Sequence, residues 1–143
     1  MNFNESIIYK LHEIVYTSDV LAETHLQAKL NISYADFLVL MLIHDYPQGT
    51  QNDLAQSLRI GKSALSLKLT KLEKSAFLKR SAKSSSKREN DLKLTKKGLQ
   101  VVQEGGQILH SSSLAFFKTI GKDTPVLDDL LEKVLGDIRA SLA

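Results

Sequence analysis

Between Lys62 and Lys74, small and basic side chains occupy the side of a helix that lies opposite an apolar stripe of Leu65, Leu69 and Leu72. They are Lys62, Ser63, Ser66, Leu67 and Lys71, with Lys74 at the end. Side chains of these types can approach a phosphate backbone or the edges of bases closely, which is the chemistry of nucleic-acid recognition. Leu67 stands two positions from both Leu65 and Leu69, about 200° around the helix from each. It is therefore expected to face outward, where it could pack on a thymine methyl. A second group follows at Lys87 and Arg88, beside Ser84, Ser85 and Ser86. This is a basic, serine-rich tip suited to a phosphate or a minor groove.

Catalytic chemistry has little support. The chain has no cysteine, which excludes a disulfide framework and a thiolate metal site. His12, His25, His44 and His110 fall in separate segments with no metal-ligand spacing such as H-x-x-x-H. No glycine-rich phosphate loop, nucleophile elbow or paired catalytic carboxylates occur, so neither an enzyme nor a cofactor is expected.

The charge supports a polyanion partner by its distribution. From Arg59 to Lys97 thirteen basic residues face Glu73, Glu89 and Asp91, a local balance of +10 in a chain of net charge +3, leaving −7 for the remainder. Such asymmetry concentrates an electrostatic footprint on one lobe and leaves the other for different work.

The elements that must position these residues follow from local signals. Thr50 is a candidate N-cap with Asp53 three residues on, opening a short helix whose Leu54, Ala55 and Leu58 face one way. Arg59-Ile60-Gly61-Lys62 supplies the turn, with Gly61 expected at the bend. Beyond Phe77 the pattern alternates, Leu78 to Ser81 and Asp91 to Leu94 flanking a tip from Ala82 to Asn90, which predicts a hairpin. Two short helices, a turn and a basic hairpin, in that order, are what a winged helix-turn-helix requires.

On either side lie longer amphipathic segments. Glu5 to Leu30 carries Ile7, Leu11, Ile14 and Leu21 with Ile8, Val15, Ala22 and Leu26 offset from them. Ser33 and Asp36 read as an acidic capping pair for the apolar run Phe37 to Ile43. Thr95 can cap a helix in which Gly105-Gly106 predicts a kink or the close packing of another backbone. Thr124 as N-cap and Pro125 as first helical residue open a last helix carrying Leu127, Leu130, Leu131, Val134, Leu135, Ile138 and Leu142. That is more apolar surface than one small lobe needs, and its simplest use is packing across a two-fold axis.

Particular residues resemble the multiple-antibiotic-resistance regulators, the MarR family. They are Leu54-Ala55 with Leu58, Leu72-Glu73-Lys74, Leu78-Lys79-Arg80, and Leu94-Thr95-Lys96-Lys97-Gly98. Length and flanking helices extend the likeness over nearly the whole chain. The chain departs from the pattern at two places. Ser86 stands where the family's wing usually has an aspartate two residues before its arginine, here Arg88, so the ion pair that braces the wing is missing. Ser66-Leu67 stands where a threonine-arginine pair is frequent. The resemblance implies an effector pocket for a small aromatic or phenolic compound, with His12, Tyr16, Tyr34, Phe37 and His44 as candidates by their place in the helices that line it.

These observations lead to a mainly α chain, a winged helix-turn-helix with a small antiparallel β wing and N- and C-terminal dimerisation helices. Residues 1–143 are expected to form one domain, with a DNA-binding lobe over 46–98 and a helical dimerisation lobe from 1–32 and 99–143. The expected partner is double-stranded DNA, bound near-palindromically by a homodimer acting as a ligand-responsive repressor. The alternative is a winged-helix protein-interaction or ligand-binding module without specific DNA binding. Residues Met1 to Glu5 show no basic region leading into an apolar signal segment, and no run reaches membrane-span length. A cytoplasmic location, with no membrane partner, is therefore expected.

Overall fold

The computed structural model describes residues 5–83 and 86–142, with the side chains of residues 82–91 outside the description. The elements run α1 (Ile7–Leu30), α2 (Tyr34–Asp45), α3 (Gln51–Ser57), α4 (Lys62–Lys74), β1 (Leu78–Lys83), β2 (Ser86–Leu94), α5 (Lys96–Phe117), a 3-10 turn (Gly121–Asp123) and α6 (Thr124–Ser141). The fold is mainly α with one two-stranded antiparallel sheet, as expected. The chain divides into two compact units, Met1–Ile108 and Leu109–Ala143.

In the first unit the core is built on the apolar stripes of α2, α3 and α4, whereas of the eight stripe residues expected on α1 only Ala22 and Leu26 are buried. Leu26, Phe37, Val39, Leu40, Leu65, Leu69, Leu72 and Leu78 are all but inaccessible, with Leu54, Ala55, Val101 and Val102 beside them in burial. α2 is apolar on nearly every side because α1, α3, α4 and β2 all pack against it. In the second unit no residue of α6 is buried, and Val126, Leu130, Leu131, Val134, Leu135, Ile138 and Leu142 are all exposed. Among the described residues no single helix is long and apolar enough to cross a membrane.

Thr50 and Asp53 form a complete capping box. The Thr50 hydroxyl accepts from the Asp53 N–H at 3.2 Å, and the Asp53 carboxylate accepts from the Thr50 N–H at 2.8 Å. At Ser33 only half of the expected pair exists: its hydroxyl accepts from the Asp36 N–H, while the Asp36 carboxylate turns inward. α6 begins at Thr124 itself, whose hydroxyl donates back to the Gly121 carbonyl, so the cap position falls one residue earlier, at Asp123.

The bend between α3 and α4 is not at Gly61, which caps α4 in ordinary extended geometry (φ −70°). The left-handed residue is Arg59 (φ 53°). Its N–H reaches the Gln56 carbonyl and that of Ile60 reaches Ala55, the paired bonds of a Schellman motif. The end of α4 repeats the arrangement with Ala76 (φ 61°), whose N–H reaches Glu73 while that of Phe77 reaches Leu72. A left-handed L-residue costs about 1 to 2 kcal/mol, and glycine gives part of that back through unfolded-chain entropy. Ala76→Gly is accordingly expected to stabilise the protein by about 0.5 to 1 kcal/mol, read as a higher denaturation midpoint. A lower midpoint would remove strain from this account.

α5 continues through Gly105-Gly106 as unbroken helix. What approaches Gly105 is a side chain and not a backbone: an added Cβ would stand 2.3 Å from the Phe37 ring, whereas nothing lies within 4 Å at Gly106.

Candidate nucleic-acid interface

The exposed side of α4 carries the set expected from its sequence. Lys62, Ser63, Ser66 and Leu67 are all exposed, and Leu67, at 74% accessible, lies outside the core. Gly61 provides no side-chain cap, so the first turn of α4 presents its backbone N–H groups beside Lys62 and Ser63.

Behind this face α4 is fixed by contacts that local sequence pattern does not reveal. Asp36 on α2 is 2% exposed. Its Oδ1 accepts from Lys68 Nζ at 3.1 Å and its Oδ2 from Lys71 Nζ at 2.6 Å. Burial is the largest single influence on this carboxyl and opposes ionisation. The hydrogen bonds from Lys71, Lys68 and Ser33 together outweigh it and hold the group below the usual carboxylate range. Lys71, expected to face DNA, therefore has its ammonium on a buried carboxylate, although its side chain remains 66% exposed. One sequence signal existed. Lys68 lies three residues after Leu65 and four before Leu72, on the edge of the core stripe, where a lysine needs a partner.

The wing is joined to α4 by Arg80. Its Nε donates to Glu73 Oε2 at 2.8 Å, its backbone N–H to Glu73 Oε1 at 3.0 Å, and its Nη2 to the Thr70 hydroxyl at 3.0 Å. The same Arg80 bonds hold Glu73 below its ordinary pKa. At the other strand, Thr95 accepts from the Gly98 N–H and donates to the Ala76 and Phe77 carbonyls. Lys97 donates to the Ser75 carbonyl at 2.9 Å and sits 4.4 Å from the centre of the Phe77 ring, a cation at the C-terminal end of α4. Lys68, Lys71, Arg80 and Lys97 are thus engaged within the protein, while Lys62, Lys74, Lys79, Lys93 and Lys96 are exposed. The footprint offered to a polyanion is smaller than the raw charge count.

The strands pair Leu78 with Leu94, Lys79 with Lys93, Arg80 with Leu92 and Ser81 with Asp91, and they extend past the expected tip boundaries to Lys83 and Ser86. Ser84 and Ser85 lie outside the described residues. The expectations for Ser86, Lys87 and Arg88 concern side chains outside the description.

The effector candidates are dispersed in environment. His12 and Tyr16 are exposed one turn apart on α1. Tyr34 is half-buried; burial, and secondarily Asp19, pushes its phenol up. Phe37 is fully buried, its ring against Gly105. His44 is exposed with Nδ1 2.8 Å from Asp45 Oδ1. An open cleft of about 540 Å³ between the ends of α2 and α3 is lined by Asp45, Tyr46, Gly49, Asp53, Leu54 and Ser57, and by none of these five.

Comparison with known proteins agrees with this architecture. The MarR family model matches residues 32–90. The structure is similar to that of MarR from E. coli in its apo form, with 26% identity and a TM-score of 0.75 over 91% of this chain and 97% of that one. It is also similar to S. aureus MepR in a DNA complex, with 20% identity and a TM-score of 0.78 over 96% and 99% of the two chains. A MarR protein from Peptoclostridium difficile gives 19% identity and a TM-score of 0.81 over 96% and 91%. No curated protein matches the sequence.

Proposed function

Because this chain has the fold of the MarR-family transcriptional regulators and matches the family model over residues 32–90, we propose that it is a DNA-binding regulator acting as a homodimer on a near-palindromic operator. It works in the cytoplasm as a repressor released by a small aromatic or phenolic ligand. The observation that carries this reading is the exposed Lys62, Ser63, Ser66 and Leu67 face of α4, backed by the Asp36 and Arg80 anchors that hold the helix in place. Lys62, Ser63, Ser66 and Leu67 of the recognition helix supply register and base contacts, and Lys87 and Arg88 of the wing reach phosphates or the minor groove. Two copies would set their recognition helices about 34 to 36 Å apart for half-sites one turn apart. The ligand site would draw on His12, Tyr16, Tyr34, Phe37 and His44.

A salt titration of binding to random duplex DNA tests the reading. A polyanion-binding regulator loses affinity linearly in log salt, whereas a winged-helix protein-interaction module does not bind duplex in this way. The exposed Leu67 adds a second measurement. Leu67→Arg is expected to leave the melting temperature unchanged and to strengthen or re-specify binding, since it adds a cation and a possible guanine contact worth about 1 to 3 kcal/mol of discrimination. A variant that binds every duplex as the native protein does would take Leu67 out of the interface.

A further inference from the structure

Asp36 meets α4 through two lysines of unequal exposure. Its side chain is 3% accessible, that of Lys68 is 29% and that of Lys71 is 66%. We infer that Asp36 is a positioning residue that withholds Lys71 from DNA phosphate, an internal counter-ion that leaves α4 one cation fewer for arbitrary duplex than its surface offers. This deepens the DNA-binding reading above and rests on it.

Lys71 lies four residues after Leu67, about 40° around the helix, so it borders the exposed face while its ammonium turns back to α2. A phosphate approaching that border must compete with a carboxylate 2.6 Å away. The competition favours the carboxylate, because an interaction with a buried group is screened by salt far less than one at the surface. The clamp can nevertheless open. Lys68 holds the other carboxylate oxygen, so departure of Lys71 leaves the buried charge paired, and the penalty of an uncompensated buried ion does not arise. Withholding is therefore conditional: Lys71 reaches DNA only where a phosphate is placed well enough to outbid Asp36.

The test is binding to random duplex across a salt series, with native protein, Lys71→Ala, Asp36→Asn and the double variant. In the native background Lys71→Ala is expected to change neither affinity nor the log–log salt slope. Asp36→Asn is expected to steepen the slope by about 0.9, one further phosphate neutralised. It should also tighten binding roughly two- to fivefold, the factor to which one exposed ion pair converts. Adding Lys71→Ala to Asp36→Asn should abolish both gains. A merely structural Asp36 would lower the melting temperature and leave the slope alone. A slope about 0.9 shallower for Lys71→Ala alone, or a native slope for Asp36→Asn, overturns the clamp while the regulator stands. Should Asp36→Asn not fold, a slope about 0.9 shallower for Lys71→Ala still overturns the clamp, because that side chain is largely exposed and its loss leaves the fold intact. A native protein with no salt-dependent duplex binding overturns the regulator and the clamp together.

Discussion

Alanine at Gly105 is expected to destabilise the protein by about 1 to 3 kcal/mol, while alanine one residue later, at Gly106, is expected to stabilise it by up to about 1 kcal/mol. Propensity alone treats the two alike, since each glycine in a helix interior costs about 1 kcal/mol against alanine. Packing separates them. A Cβ at Gly105 would lie 2.3 Å from Cε2, 2.9 Å from Cδ2 and 3.0 Å from Cζ of Phe37, a fully buried ring that close packing discourages from moving aside. At Gly106 nothing lies within 4 Å. Gly98→Ala extends the same logic to a rigid neighbour, because its Cβ would fall 2.0 Å from the Phe77 carbonyl oxygen. That oxygen also accepts from the Thr95 N–H and the Thr95 hydroxyl, so the clash would loosen the seam between the wing and α5. Urea denaturation of the three variants measures the contrast. Equal midpoints for the Gly105 and Gly106 variants would show that Phe37 does not pack as described.

These glycines also mark where sequence reading stops. The pair was legible as a special place in a helix, but which member matters depends on Phe37, far off in the chain on α2. Local grammar was readable wherever both partners lie within a turn, as with Thr50 and Asp53. It was incomplete at Asp36, whose carboxylate, besides its bond with Ser33, serves lysines 32 and 35 residues away. Conformational freedom points to Gly61 for the α3–α4 bend, yet the paired bonds to Ala55 and Gln56 place the left-handed residue at Arg59, two positions earlier. Apolar periodicity fared best. Leu65, Leu69 and Leu72 are buried and Leu67 is exposed, because a helix face is fixed by angle alone once the helix exists. Arg80 was visible only as one more cation, since nothing local distinguishes a brace to Glu73 and Thr70 from a solvated charge.

Replacing Leu131 and Leu135 together with glutamate is expected to convert a dimer to a monomer and to lower operator affinity on the order of 10²-fold or more. Both side chains are exposed on α6, at 36% and 41%, within a run that also exposes Val126, Leu130, Val134, Ile138 and Leu142. In the first unit, α1 likewise exposes Ile7, Ile8, Ile14, Val15, Tyr16 and Val20. Soluble monomers rarely expose contiguous apolar patches larger than a few hundred Å², so faces of this composition call for cover, and a second copy of the same chain is the commonest source. Because neither leucine is buried in its own protomer, the glutamates should leave the helical content of each chain intact. The DNA effect follows from linkage: a dimer that holds one half-site keeps its second recognition helix near the other, and a monomer loses that effective concentration. Sedimentation at micromolar concentration, followed by operator titration, separates the outcomes. A native protein that sediments as a folded monomer would remove the two-fold arrangement. A double variant that remains dimeric would move the interface off the α6 face and leave those leucines requiring another partner.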